Sequence, residues 1–356
     1  MLQTEFSQLC RNIWPRLSTE DNLQRPLAGI FAYFLAQTEA LRRRHADITV
    51  SDVTAIIGHL TSQQDAMPSR KEYLEIVRSY LPSSASEAAV HSTGDRTLRM
   101  LLTLDVRVGS RSTEPISPVQ TAVIDWVGDD SLSEAIANHF MSNSSNPSDM
   151  VTGRIDPSLS LPYLCSYRGF RIFWTSNLSE HLSINWKSKI VTVYEHKAFL
   201  WYHLRNSGNP IIPRPILEEA IDTLNLLFPL CDDLTRKFLA QNGKEFQDVG
   251  YCSRPRDMCL DLGKFHVWRD RVAELAGIMN EDPKGLKQLL LEKDGRNLLP
   301  FVTFWVAIAV AFLSLVNIPF TVVSMLYTVK QYQLALAQAC ADPSMQDVLP
   351  QYCSPG

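Results

Sequence analysis

The side chains best suited to chemistry cluster in one central stretch. His181, His196 and His203 fall within 23 residues, and Glu195 sits beside the second of them. A metal site would ask for two ligands one helical turn apart, or for a cysteine at fixed spacing. His196 and His203 are seven residues apart, two helical turns, too far to share an ion, so all three read as structural histidines. Asn177 and His181 are four apart and follow Trp174, which makes these three a candidate pocket lining. The competing reading has Asn177 capping a turn and His181 bonding a carbonyl. Glu218, Glu219 and Asp222 read as the solvated face of an amphipathic helix. Cys252 and Cys259 have no second pair and no suitable histidine nearby, so no metal is expected there.

Other chemistries leave no trace. The chain contains no G-x-G-x-x-G, no G-x-x-x-x-G-K-[ST] and no G-x-S-x-G, so neither a nucleotide loop nor a hydrolase elbow is implied. No cofactor is expected, and no catalytic residue is assigned. Arg269 and Arg271 in FHVWRDRV are candidates for contact with anionic lipid headgroups, each nearby cation adding about 1 kcal/mol. Their alternative is an ion pair with Asp270, Glu274 or another helix.

The elements that must position these residues are mostly helical. RPLAGIFAYFLAQTEALRRR places Leu27, Ile30, Phe31, Phe34, Leu35 and Leu41 at helical spacing, and Arg42, Arg43 and Arg44 close it as a solvated end. SDVTAIIGHLTS, opened by Ser51, and SRKEYLEIVRSYL complete an N-terminal helical region, 1–82. PSSASEAAVHSTGD then reads as a polar loop and a domain boundary. An α-rich domain, 95–296, follows. It starts with TLRMLLTLDVRVG as a helix and continues with a capping box at Ser131 and Glu134. The alternation in YRGFRIFWTSNL and the β-branched run KIVTVYEH predict two strands flanking a short helical turn. PRPILEEAIDTLNLLFPL, DLTRKFLAQNG and KFHVWRDRVAELAGIM predict three more helices, the last burying Phe265, Trp268, Val272, Leu275 and Ile278. The fold class is therefore mainly α with a small β element.

The net charge of −4 and pI near 6.1 give no reason to expect a nucleic-acid partner. Seven irregularly spaced cysteines do not make a disulfide framework, and reduced thiols are expected. The first residues lack the charged and apolar regions of a signal peptide, so any insertion must be directed by a later segment.

That segment is LLPFVTFWVAIAVAFLSLVNIPFTVVSMLYTVK. From Asn297 to Val329 its 33 residues carry no charge. As a helix they reach about 50 Å at ~1.5 Å per residue, more than the roughly 30 Å of a hydrocarbon core. A soluble core helix normally keeps a polar stripe; here Thr303 and Ser314 are the only non-apolar side chains from Phe301 to Val316. A transmembrane helix over 298–329 is expected, kinked near Pro319, with Trp305, Tyr327 and Tyr332 at the interfaces. Asn317 is either an interface residue or a contact to another membrane helix, and self-association through the span is open. Lys284, Lys287, Lys293 and Arg296 precede the span and only Lys330 follows, which keeps the large N-terminal part cytosolic and sends the polar tail, 330–356, across. A hairpin turning at Asn317 and Pro319 is the rival topology.

Three pieces in order carry a resemblance. Ile172, Trp174, Thr175, Asn177, Leu178, His181 and Leu182 match I-x-W-T-x-N-L-x-x-H-L. Phe265, Trp268, Arg269 and Arg271 match F-x-x-W-R-x-R, and Thr303 to Ala307 match T-F-W-V-A. Over residues 95 to 335 the chain resembles a group of uncharacterised membrane proteins of filamentous fungi. The resemblance implies a membrane-bound fungal protein and brings no activity with it. The leading reading is a single-pass protein with the lipid bilayer and a protein as partners, its helical part a binding or scaffold module. The rival is a membrane-bound enzyme or accessory protein acting on a hydrophobic metabolite.

Overall fold

The computed structural model describes residues 3–14, 28–44, 48–62, 68–109, 122–128, 130–142, 153–206, 211–244, 246, 249–250, 253–280, 298–341, 343 and 350–353. Two compact units are present, Met1–Asp282 and Pro283–Gly356. The fold is mainly α with a small β element.

The first unit opens with helices α1 (Gln3–Ile13), α2 (Ala28–Arg44), α3 (Val50–Ser62), α4 (Arg70–Ser79) and α5 (Glu87–Leu102). Ser69 opens α4 with a reciprocal capping box to Glu72. The cap of α3 is Thr49, not Ser51: its hydroxyl accepts from the Asp52 amide at 3.3 Å while the Asp52 carboxylate accepts from the Thr49 amide at 2.8 Å. The polar loop expected at 82–95 is mostly helix. Ser86 caps α5, and the polar letters of HSTGD are absorbed within it. Thr93 and Thr97 donate to carbonyls one turn back, Ala89 and Thr93, at 2.8 and 2.9 Å. Gly94 lets the Tyr73 ring approach so closely that a Cβ would sit 3.2 Å from it, and the Tyr73 hydroxyl donates to the Gly94 carbonyl.

The predicted helix TLRMLLTLDVRVG ends at Leu102. Thr103 is left-handed, φ 52°, and turns the chain into β1 (Val106–Arg107), which pairs in parallel with β2 (Ile124–Asp125). Helix α6 (Leu132–Ser142) carries the expected capping box, Ser131 and Glu134 exchanging bonds at 3.1 and 3.2 Å. After α7 (Leu161–Tyr167) comes the central sheet, in order β3 (Arg171–Thr175), β5 (Ile190–Tyr194), β4 (Ile184–Asn185). β3 runs parallel to β5, with Arg171 opposite Ile190 and Thr175 opposite Tyr194. The predicted helical turn lies between them, at Leu178–Glu180.

Helices α8 (Lys197–Asn206), α9 (Arg214–Leu227), α10 (Asp233–Gln241) and α11 (Arg269–Asn280) close the unit. Gly243, at φ 63°, ends α10 in the left-handed conformation that glycine adopts without strain. Phe265, Trp268, Val272, Leu275 and Ile278 are all buried, as their spacing predicts. One core runs through the unit. Trp14, at the end of α1, is fully buried against Phe199 of α8, and its indole donates to His203 at 2.9 Å. The N-terminal helices thus share a core with the β element and are not set apart from it.

The second unit is dominated by α12 (Leu298–Ala341), 44 residues long, followed by α13 (Pro350–Cys353). α12 runs unbroken through Asn317 and Pro319, so the turn that a hairpin needs is not formed. The lysine-bearing segment ahead of it, residues 281–297, lies outside the described residues.

Candidate functional site

Trp174, Asn177 and His181 follow one another along the β3 strand end and the turn after it, but their polar groups serve different purposes. Trp174 lies half-buried, stacked on Phe228 at 5.9 Å, with the Lys244 ammonium 5.1 Å above its ring and its indole donating to Asn242 at 3.3 Å. Asn177 is buried. Its side-chain oxygen accepts from the Ser179 amide at 3.1 Å, capping the turn, and its amide group donates to the Ala122 carbonyl at 3.1 Å. His181 is fully buried, edge-on to Trp268. The Tyr194 amide donates to Nδ1 at 3.1 Å, so Nε2 carries the proton and donates to the Thr223 hydroxyl at 2.7 Å. Thr223 in turn donates to the Ala220 carbonyl. Desolvation pushes the His181 pKa down to about 3, so the ring is neutral and held at both nitrogens.

A second cluster escaped sequence reasoning. Ser176 and Glu195 follow the last paired residues of β3 and β5, and parallel pairing sets them side by side. The Ser176 hydroxyl donates to Glu195 at 2.7 Å, and His196 Nε2 lies 3.0 Å from the same hydroxyl. Lys244 pairs with the other Glu195 oxygen. Burial alone would raise the Glu195 pKa, but His196, Ser176 and Lys244 together hold it below the ordinary value. A carboxylate only accepts, so it takes the single serine proton, and Nε2 of His196 must donate to Ser176. The ring therefore has no lone pair aimed at that hydroxyl, as a general base would need. This is a Ser–His–Glu contact with the proton on the wrong side for nucleophilic catalysis. Burial depresses His196 to about 4. The parallel register that creates the cluster leaves no local mark in the sequence.

The acidic face expected on α9 is the largest correction. Glu218 is half-buried, but Glu219 and Asp222 are buried. The Glu219 carboxylate accepts from three successive backbone amides, those of His266, Val267 and Trp268, at 2.8, 2.7 and 2.7 Å. It thereby caps the approach to α11, where an anion also meets the positive end of the helix. Desolvation outweighs those three bonds and leaves the Glu219 pKa raised. Asp222, with no exposure, pairs with Arg254, whose backbone amide donates to it at 3.1 Å. The misreading arose because Glu218 and Glu219 are neighbours on a helix packed along more than one face: Leu217, Ala220 and Ile221 are buried too.

Arg271 is largely buried and donates to the carbonyls of Ser179, at 3.2 Å, and of His181. Its guanidinium joins α11 to the turn after β3 and is committed there. Arg269, at the first position of α11, is half-buried.

In the second unit the described surface of α12 ahead of Lys330 is uncharged and mainly apolar. The side chains from Trp305 to Val329 are exposed without exception, Phe312 by 66% and Phe320 by 70%. Among the described residues one helix, Phe301–Ala341, is long and apolar enough to cross a membrane, and none of its apolar window is buried in protein. Ser314, Thr321 and Thr328 donate to carbonyls four residues back, at 2.8, 3.0 and 2.9 Å, which spares their hydroxyls the cost of meeting an apolar solvent unbonded. Asn317 is exposed on this helix.

Cys340, in the last turn of the same helix, and Cys353 form a disulfide, contrary to the expectation of reduced thiols throughout. Among the described residues Cys10, Cys165, Cys231 and Cys259 are free, and all four belong to the first unit. Cys252 lies outside the described residues, and no group of three or more metal-ligating side chains occurs among those described. Comparison of the chain with protein-family models, with curated proteins and with solved structures finds no match.

Proposed function

We propose that the chain is a single-pass membrane protein, a helical binding or scaffold module held at the cytosolic face of a bilayer by α12. The observation that carries this reading is the uncovered apolar surface of that helix. Twenty-five consecutive exposed residues, Trp305 to Val329, include no charge. At about 25 cal/mol per Å2, such a surface strongly favours lipid over water. The fungal group that the chain resembles fits the same picture.

Two independent features support the orientation. Lysine and arginine are concentrated before the span. The described free thiols lie before it as well, while the disulfide lies after it, as expected of a chain crossing from a reducing to an oxidising compartment. The committed hydrogen bonds of Asn177, His181 and Arg271 favour a folded module over an enzyme in which these groups await a substrate. The docked partner of the module is a protein, and copies associate through the span.

The test joins three measurements on the full chain. Alkaline carbonate should leave it in the membrane pellet, whereas a chain ending at Asp282 should be soluble. Protease added to sealed vesicles should digest the first unit and spare the tail. Maleimide-polyethylene glycol should add two more adducts after reduction than before it. Release by carbonate would end the anchored reading, and a protected first unit would invert the orientation.

A further inference from the structure

Along α12 the polar side chains are not scattered. Between Phe301 and Val329 the hydroxyl and carboxamide residues other than tyrosine are Thr303, Ser314, Asn317, Thr321, Ser324 and Thr328. With Ala307 and Val310 they occupy positions 303, 307, 310, 314, 317, 321, 324 and 328, an unbroken alternation of four- and three-residue steps. Every other position in the interval is apolar or aromatic. Because α12 is continuous over this range, the eight residues form a single stripe. A seven-residue repeat drifts about 20° per heptad on a straight helix, and two helices follow such a stripe by supercoiling left-handedly.

Depth supplies a second, independent observation. Trp305 and Tyr327 are 22 residues apart, about 33 Å along a helix, which matches the two interfaces of a hydrocarbon layer roughly 30 Å thick. Asn317 then lies about 18 Å from one interface and about 15 Å from the other, near the middle. Ser314, Thr321 and Thr328 satisfy their hydroxyls within their own helix, but the Asn317 side-chain amide has no partner among the described residues. An unbonded carboxamide in hydrocarbon is costly, and it carries a donor and an acceptor together. The group that complements it at the same depth is another carboxamide.

We propose that α12 pairs with a second copy of itself as a parallel, left-handed dimer along this stripe, with the two Asn317 amides hydrogen-bonded across the axis. This rests on the anchored reading and specifies its self-association. All copies share one orientation in the membrane, so each stripe residue meets its own counterpart. Thr303, Ala307, Ser314 and Ser324 are small enough for close approach, while Phe312, Leu315 and Leu326 face lipid.

The test uses the full chain in membranes. Single cysteines at Ser314, Asn317 and Ser324 should give a dimer-sized oxidative cross-link that is absent from the unsubstituted chain. Cysteines at Leu315 and Leu326, on the opposite face, should not. Energy transfer between labelled copies in vesicles should show Asn317→Leu weakening association about threefold to thirtyfold, while Leu315→Ala leaves it unchanged. Equal cross-linking from both faces, or a monomer in the membrane fraction, overturns the proposal and leaves the anchor standing. Cross-links running only to a heavier, different protein overturn the second copy as occupant. Loss of the chain from the membrane fraction refutes the anchored reading itself.

Discussion

Lowering the pH from 7 to 5 is expected to cost the first unit about 6 kcal/mol of stability. His181, His196 and His203 are neutral in the fold, with pKa values held down to about 3, 4 and 4 by burial. Unfolded, each titrates near the ordinary 6.5. Between that value and the folded one, only the unfolded chain gains the proton, so stability is lost as the pH falls below 6.5. At pH 5 the difference is about 2 kcal/mol for each ring, from ~1.36 kcal/mol per pH unit. Glu180 and Glu219, whose pKa values are raised, take up protons earlier in the fold and lessen the loss at lower pH. Urea unfolding of the fragment ending at Asp282, at both pH values, measures the effect. His203→Phe keeps a ring stacked on Phe199 and should remove about a third of the pH dependence, although it loses the bond from Trp14. A midpoint unchanged between pH 7 and 5 would mean that these rings accept protons in place.

Glu219→Ala should destabilise the same fragment by about 3–5 kcal/mol. The substitution leaves the three amides of His266, Val267 and Trp268 without their acceptor, the first two at part-buried positions and the third where water has no easy access. Each orphaned buried donor costs about 1–3 kcal/mol, and relaxation of the 266–268 segment recovers part of the sum. Trp268 would be the first side chain to respond, because it is fully buried between His181 and Phe140. Glu219→Gln keeps one acceptor oxygen and should cost roughly half as much. Glu218→Ala, one residue away, with a half-exposed side chain paired to the exposed Arg214, should stay within about 0.5 kcal/mol. Equal effects at 218 and 219 would contradict the capping role.

What the sequence revealed follows a physical rule: local signals were legible and pairings were not. The alternation of Phe170, Ile172 and Trp174 and the run Ile190–Tyr194 mark strands because side-chain direction has a period of two. The buried face of α11 follows from Val272, Leu275 and Ile278, whose spacing is helical; Phe265 and Trp268 are buried as the same pattern predicts but lie ahead of the helix, which begins at Arg269. Ser131 and Glu134 announce their cap because the motif is only four residues long.

The failures involve partners far along the chain. The first half of α5 looked like loop because Ser92, Thr93 and Gly94 are weak helix formers, yet Tyr73 of α4 and the i−4 carbonyl make Thr93 and Gly94 good core residues. Glu219 looked solvated because its three donors lie 47 to 49 residues away. The disulfide was hidden by an odd count of seven cysteines. Counting them on either side of the uncharged segment, five before and two after, would have singled out Cys340 and Cys353.

α12 does not stop where the uncharged stretch stops. It continues from Lys330 to Ala341 as the same helix and reaches the disulfide without an intervening turn. In the anchored reading proposed above, with Tyr327 at the lipid boundary, the remaining 14 residues would stand about 21 Å clear of the hydrocarbon, and the ring closed by Cys340 and Cys353 would be borne on a rigid mast. Tilting or rotating such a rod in lipid would swing that ring by a matching angle, and two paired rods would hold their rings at a fixed separation.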